Sequence, residues 1–222
     1  MLDRLVYAVV ANILIAIVGA TWLVRVAAVA GVTSTAQTGF TSVRRSLLSV
    51  AAGLVFGLGA LRLADVPTDD PVVLLNAFAQ VLVVSAAEIL VCWTLVGGIV
   101  ESFLGRVLGR VSALAIAILT SSALFSLYHF AHSPPFDAVG MVVFLAAVSL
   151  VTGIFFVATR NVYGAIVFHN FLGVIGVTNA LAARNELEPL TEPQLSLLST
   201  APATMVVLVV ADVRLIRRTA GR

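Results

Sequence analysis

SAAEILVCW, Ser85–Trp93, carries one acidic residue, Glu88, inside an apolar run that extends over about residues 71–105. A run of that length is a membrane-crossing helix, because roughly 20 residues suffice to span the hydrocarbon. A carboxyl group at membrane depth is costly, and by default it marks a functional site. Two further apolar runs each bring an imidazole: FSLYHF presents His129, and AIVFHNFLG presents His169. One carboxylate and two imidazoles on three separate helices have the chemistry to activate water or to hold a metal ion.

The whole chain fits this setting. Its 222 residues are 60% hydrophobic and only 11% charged, with a mean hydropathy of +1.10, which excludes an ordinary soluble domain. All 13 basic residues are arginines, against 11 acids, and a net charge of +2 is too small to suggest a nucleic-acid partner. The partner expected from composition is the lipid bilayer. Cys92 is the single cysteine, so one chain can form no disulfide, and its simplest role is that of a small buried side chain. The apolar stretch Leu5–Ala30 ends in the small residues Ala28-Val29-Ala30, like a cleavage site. It is about twice the length of a signal-peptide core, however, and its flank MLDR has no net side-chain charge, so it is expected to remain as a span.

The expected fold class is all-α: a polytopic bundle of seven spans forming one transmembrane domain over residues 1–222. The spans are expected at about 5–30, 46–63, 71–105, 111–131, 138–159, 162–182 and 195–214. Helices are required because backbone groups in lipid must be satisfied within the segment, and the unbroken apolar runs disfavour a barrel. Span three is too long to cross upright and must tilt, bend at Gly97-Gly98 or project. Alternating the connections puts Arg25, Arg44, Arg45, Arg106, Arg110, Arg160, Arg214, Arg217, Arg218 and Arg222 on one side, and Arg4, Arg62 and Arg184 on the other. The positive-inside rule then predicts a multi-pass protein of the cell membrane with a cytoplasmic C-terminus.

Spans three and four form an antiparallel hairpin turning near Leu108. Glu88 lies about 20 residues before the turn and His129 about 21 after it, so equal rise brings them to similar depth. Ser122 and Ser126 share much of the His129 face and are expected to be its polar neighbours. His169 follows the Arg160-Asn161 turn by about eight residues, roughly 12 Å, and is expected closer to the arginine side unless spans three and four extend past the bilayer.

These residues resemble the CPBP family of intramembrane endopeptidases, also called the Abi or CAAX-prenyl protease family, whose pattern is E-E-x-x-x-R, then F-x-x-x-H, then H-x-x-x-N. The second motif is intact as Phe125-Ser126-Leu127-Tyr128-His129, and the third begins at His169 but has Gly173 at its fourth following position. For the first motif three registers compete. Glu88 can be the second glutamate, with Ala87 replacing the first, Cys92 the arginine and Trp93 matching a tryptophan of one family variant. Glu88 can instead be the first glutamate, with Trp93 in place of the arginine. Glu101 to Arg106 retains both Glu and Arg but puts Glu101 near the turn, while His129 lies about 27 Å along the next helix; Glu88 is therefore preferred. The resemblance covers about residues 80–180 and implies a catalytic core there. It assigns water activation to Glu88 and His129, and oxyanion stabilisation to His169, for hydrolysis of a peptide or membrane-associated protein substrate. It implies no cofactor, although Glu-His-His is also a zinc ligand set and a divalent metal stays open as the alternative.

Each residue also has a plain structural reading: Glu88 as a neutral or hydrogen-bonded core glutamate, His129 as an interfacial histidine beside His132, and His169 as a packing contact. Two other functions follow from those readings. One is a catalytically silent family member acting as a membrane interaction or immunity-type protein; the other is a small transporter with Glu88 as proton carrier, which the lack of paired inverted repeats disfavours. Asn12, Arg25, Asn76, Gln80, Asn170 and Asn179 are expected to bond between helices or to snorkel, and Gly53, Gly57 and Gly59 to allow close helix packing.

Overall fold

The computed structural model describes residues 5–132 and 136–217. Arg4, Arg218, Arg222 and the middle of the expected His132–Asp137 turn lie outside the described residues. Among those described, every regular element is helical, and seven helices are long and apolar enough to cross a membrane. We number them α1 (Tyr7–Val29), α2 (Val43–Leu63), α3 (Pro71–Leu104), α4 (Arg110–Ala131), α5 (Val139–Thr159), α6 (Val162–Ala182) and α7 (Leu195–Arg217). Their limits agree with the expected spans to within a few residues. The chain is thus a multi-pass membrane protein with an all-α fold.

Local chemistry sets the helix starts. Asp70 accepts the Val72 N–H at 2.8 Å, with Pro71 in the first turn of α3, where its missing N–H costs nothing. Ser42 caps α2 through the Arg45 N–H, and Asn161 caps α6 through the Gly164 N–H at 3.0 Å. Between α5 and α6 the chain reverses at Arg160, which takes left-handed backbone angles (φ 49°, ψ 46°) that cost a non-glycine residue about 1–2 kcal/mol. Its guanidinium makes two hydrogen bonds to Glu101, so tertiary pairing holds the strained turn.

The centre of the bundle is α3. It has the largest buried share of the seven, 61% over its most apolar window, and supplies the main buried cluster with residues from Ala79 to Trp93. Residues of α1, α4, α5, α6 and α7 close around it. The helix runs without a break through Gly97 and Gly98, and Ile89–Gly97 takes the wider π-helical turn. That widening shortens the segment per residue, and the helical hydrogen bonding continues through Gly97-Gly98. Gly97 serves another purpose: a Cβ there would stand 2.7 Å from the Ser121 hydroxyl, so the glycine lets α4 approach.

In contrast, α2 is peripheral, with 17% of its apolar window buried, and shows Leu47, Leu48, Val55 and Phe56 outward as a lipid-facing side. It docks on α6 through glycine. A Cβ at Gly53 would stand 2.6 Å from the Gly164 carbonyl, and one at Gly57 would overlap the Phe171 ring. Gly59 meets nothing within 4 Å, so the packing role expected of it is absent. At the opposite end from most arginines, Asn76 donates to the carbonyls of Leu190 and Glu192 and accepts from the Gln194 N–H, tying the acidic loop over α3. Asn170 joins α6 to α3 through Phe78 and Ser85, whereas Asn12 and Asn179 bond only within their own helices.

Candidate functional site

Glu88 ends the first α-helical segment of α3, immediately before the π-helical stretch, a local geometry frequent at functional sites. His129 opens the single 3₁₀ turn that ends α4, and His169 lies in the middle of α6. The three side chains meet. His169 Nε2 is 3.0 Å from Glu88 Oε2, and His129 Nε2 is 3.9 Å from Glu88 Oε1. Their side chains are only 3% exposed for His169, 9% for His129 and 11% for Glu88.

Two more side chains complete the cluster, and neither was singled out in the sequence. The Tyr128 hydroxyl donates to Glu88 Oε1. The Thr152 hydroxyl, from α5, lies 2.9 Å from His169 Nδ1. Tyr128 was within reach of sequence reasoning as the residue beside His129. Thr152 had no signal, because α5 carries no motif and the contact depends on how that helix is rotated.

The hydrogen bonds dictate tautomers. His129 Nδ1 lies 2.7 Å from the Phe125 carbonyl, which can only accept, so the proton is on Nδ1 and neutral His129 turns a lone pair on Nε2 toward Glu88. The Thr152 hydroxyl has one hydrogen to give, to the Val148 carbonyl at 3.0 Å or to His169 Nδ1. When it goes to Nδ1, His169 Nε2–H donates to an ionised Glu88. When it goes to Val148, Nδ1 donates to Thr152, and His169 Nε2 and Glu88 share one proton.

Phe125 does more than supply that carbonyl. Its ring lies 4.7 Å from the His129 ring and 5.2 Å from the His169 ring, between centroids. Trp93 backs His169 at 5.5 Å. Aromatic walls on both sides restrict the imidazoles to orientations that face Glu88. Ser122 and Ser126, expected as polar neighbours of His129, play a different part: Ser126 donates to the Ser122 carbonyl within α4, and the contact of His129 on that helix is the Phe125 carbonyl.

The cluster opens on a cavity of about 200 Å³ that Gln80, Ser85 and Gly173 also line, among mostly apolar side chains such as Val84, Phe144 and Val148. Gly173 has a packing reason. A Cβ there would stand 2.5 Å from Val81 Cγ1, so any side chain at this position would have to displace Val81. His132 stands at the edge of the cavity, its ring 5.0 Å from that of His129. Burial lowers its pKa below the ordinary histidine value, and proximity to His129 lowers it further against an opposing pull from Glu88.

Glu101 lies elsewhere, thirteen positions along α3, in a bidentate pair with Arg160 at 2.6 and 2.8 Å. Of the two glutamates, Glu88 faces His129. The depth mismatch expected of His169 is taken up in part by the π-helical shortening between Glu88 and the level of Arg160. As for a metal, no group of three or more His, Cys, Asp or Glu among the described residues is arranged as a ligand set. Glu88 and His169 are in direct hydrogen-bond contact, and the Glu88 carboxylate is also engaged by Tyr128.

Residues 84–175 match the family model described as type II CAAX prenyl endopeptidase Rce1-like. Over this region the chain is similar to the CPBP/CAAX protease family. The matched stretch begins four residues before Glu88 and ends six after His169, so it encloses every member of the cluster. No curated protein and no solved structure gives a significant match. The CPBP family is a protease family, and in this chain the intact Phe125-x-x-x-His129 motif has a physical sense: one residue supplies both the carbonyl that sets the His129 tautomer and a ring in contact with both imidazoles.

Proposed function

We propose that the protein is an intramembrane endopeptidase that hydrolyses a peptide bond with water activated by Glu88 and His129. The observation that carries this reading is the arrangement of two acceptors across a gap. Glu88 Oε1 and the Nε2 lone pair of His129 are 3.9 Å apart, too far to bond directly and suited to a water that donates one hydrogen to each. A water held in that way has its own lone pairs free to attack a carbonyl carbon.

In this mechanism Glu88 takes the proton of the attacking water as the new C–O bond forms. The substrate carbonyl oxygen becomes an oxyanion, and His169 Nε2–H, which rests on Glu88, transfers its hydrogen bond to that oxygen once Glu88 is protonated. The proton then passes to the leaving amine as the C–N bond breaks, yielding a carboxylic acid and an amine and regenerating Glu88. Tyr128 fixes the carboxylate and Thr152 holds the His169 ring. The aromatic and aliphatic cavity wall excludes bulk water, which strengthens each of these interactions. The reading is metal-free, with a peptide or membrane-associated protein segment as substrate. A second reading, a catalytically silent member acting through membrane interactions, draws its support from Ala87, Cys92 and Gly173, which depart from the family pattern.

The test compares cleavage products in membranes containing wild-type protein with those containing Glu88→Gln. Products present only with wild type, and unchanged by a zinc chelator, support metal-free hydrolysis. Identical products with a folded Glu88→Gln variant favour the silent reading. The arginine-rich end is proposed to face the cytoplasm on the positive-inside rule. Cysteine labelling, after replacement of Cys92, should modify position 188 only from outside, and labelling only from the cytoplasm would invert that orientation.

A further inference from the structure

The arginine-rich end of the bundle holds a second cavity, of about 450 Å³, walled by Gln37, Arg45, Glu101, Gly105, Arg110 and Arg160. These come from the single-turn helix Thr35–Thr38, from α2, α3 and α4, and from the α5–α6 turn, so five parts of the chain converge on one space. Three guanidinium groups meet one carboxylate there. The wall therefore carries two positive charges beyond those that Glu101 neutralises.

Its hydrogen-bonding groups are as one-sided as its charge. Both oxygens of Glu101 accept from Arg160, and Gln37 Oε1 accepts from the backbone N–H and hydroxyl of Ser34. With those acceptors engaged, the side chains left to meet a ligand are donors: the guanidinium groups of Arg45 and Arg110 and the amide NH₂ of Gln37. Arg45 is anchored, since its Nε donates to the Thr159 carbonyl at 2.8 Å and holds the arm against the end of α5. Arg45 and Arg110 are exposed, as Arg44 and Arg214 are, but arginines needed only for membrane orientation can be spread around the rim and need not converge on a shared cavity as Arg45, Arg110 and Arg160 do. Guanidinium forks match the oxygens of a phosphate, and the ends of membrane-spanning helices lie at the level of lipid headgroups.

We propose that this cavity binds a phosphate group, carried by an anionic membrane lipid or free in solution. Arg45 and Arg110 supply the charge and Gln37 an additional donor, while the Glu101–Arg160 pair forms the fixed floor.

The experiment uses the full-length protein in three settings: phosphatidylcholine nanodiscs, the same with added phosphatidylglycerol, and phosphatidylcholine nanodiscs with inorganic phosphate in the buffer. Thermal midpoint and native mass spectrometry are the readouts. The expected result is a raised midpoint with phosphatidylglycerol or with phosphate, and roughly tenfold weaker binding for Arg45→Gln or Arg110→Gln alone. The double variant should lose the response, measured against its own midpoint in phosphatidylcholine. A response to phosphatidylglycerol alone identifies a lipid headgroup; a response to phosphate in phosphatidylcholine identifies the free anion. No response in the wild type, or a wild-type response in the double variant, overturns the proposal. Neither substrate nor turnover enters the measurement, so its outcome is separate from that of the protease test.

Discussion

Two glutamates on one helix, Glu88 and Glu101, have been given opposite surroundings. Glu101 is clamped by both nitrogens of the Arg160 fork, and the pair secures a left-handed turn. Glu88 meets a phenol and two imidazoles instead. A guanidinium does not exchange protons with the carboxylate it holds, because arginine does not give up a proton. Imidazoles and phenols can exchange protons with the groups they touch. Similar burial of two identical side chains thus produces a structural clasp in one place and a candidate proton-transfer centre in the other, and the choice of partner makes the difference.

The largest effects should come from removing the exchangeable partners. Glu88→Gln and His129→Ala are each expected to lower peptide-bond cleavage by about 10²–10⁴-fold. The double variant should be little worse than either single one, because the two groups hold the same water. His169→Ala should cost roughly 10²–10³-fold, as the loss of one oxyanion donor. Turnover assays on a trapped substrate measure all four, and additive losses in the double variant would mean that Glu88 and His129 act separately.

The contrasting change is Glu101→Gln, which leaves Arg160 unpaired in a largely buried place. It should destabilise the protein by about 3–5 kcal/mol without a specific loss in turnover of the folded fraction. A thermal midpoint in detergent, with activity normalised to folded protein, separates the two. If normalised turnover falls as far as in Glu88→Gln, the division of labour between the glutamates is wrong.

A smaller effect is expected at the Glu88 end itself. Gly173→Asn restores the polar residue of the family pattern but drives a Cβ into Val81. It should cost about 1–3 kcal/mol by overpacking, and Val81→Ala should recover much of that loss. Full stability of the single variant would show that the α3–α6 contact yields more readily than its spacing implies.

How much of this was legible beforehand differs between residues for physical reasons. His129 follows Phe125 at helical spacing, so that local pairing could be read from the letters alone. Tyr128 contacts Glu88 across forty positions, and Thr152 reaches His169 from a helix with no motif, so each depends on how whole helices are rotated against one another. Gly59 shows the converse limit: it shares a helix with Gly53 and Gly57, yet its position meets no neighbour.

The sequence by itself determined the membrane class, the seven spans and the burial of Glu88, His129 and His169 in apolar runs, because hydropathy and helix length are properties of contiguous residues. It also determined the charge asymmetry between the two ends. Only the tertiary structure decided that Glu88 faces His129 while Glu101 pairs with Arg160, and that Gly173 sits tightly against Val81. Only it gathered Arg45, Arg110 and Arg160 around one cavity. Those outcomes turn on helix rotation, on the shortened π-helical stretch of α3 and on close glycine contacts, none of which is set by the local run of letters.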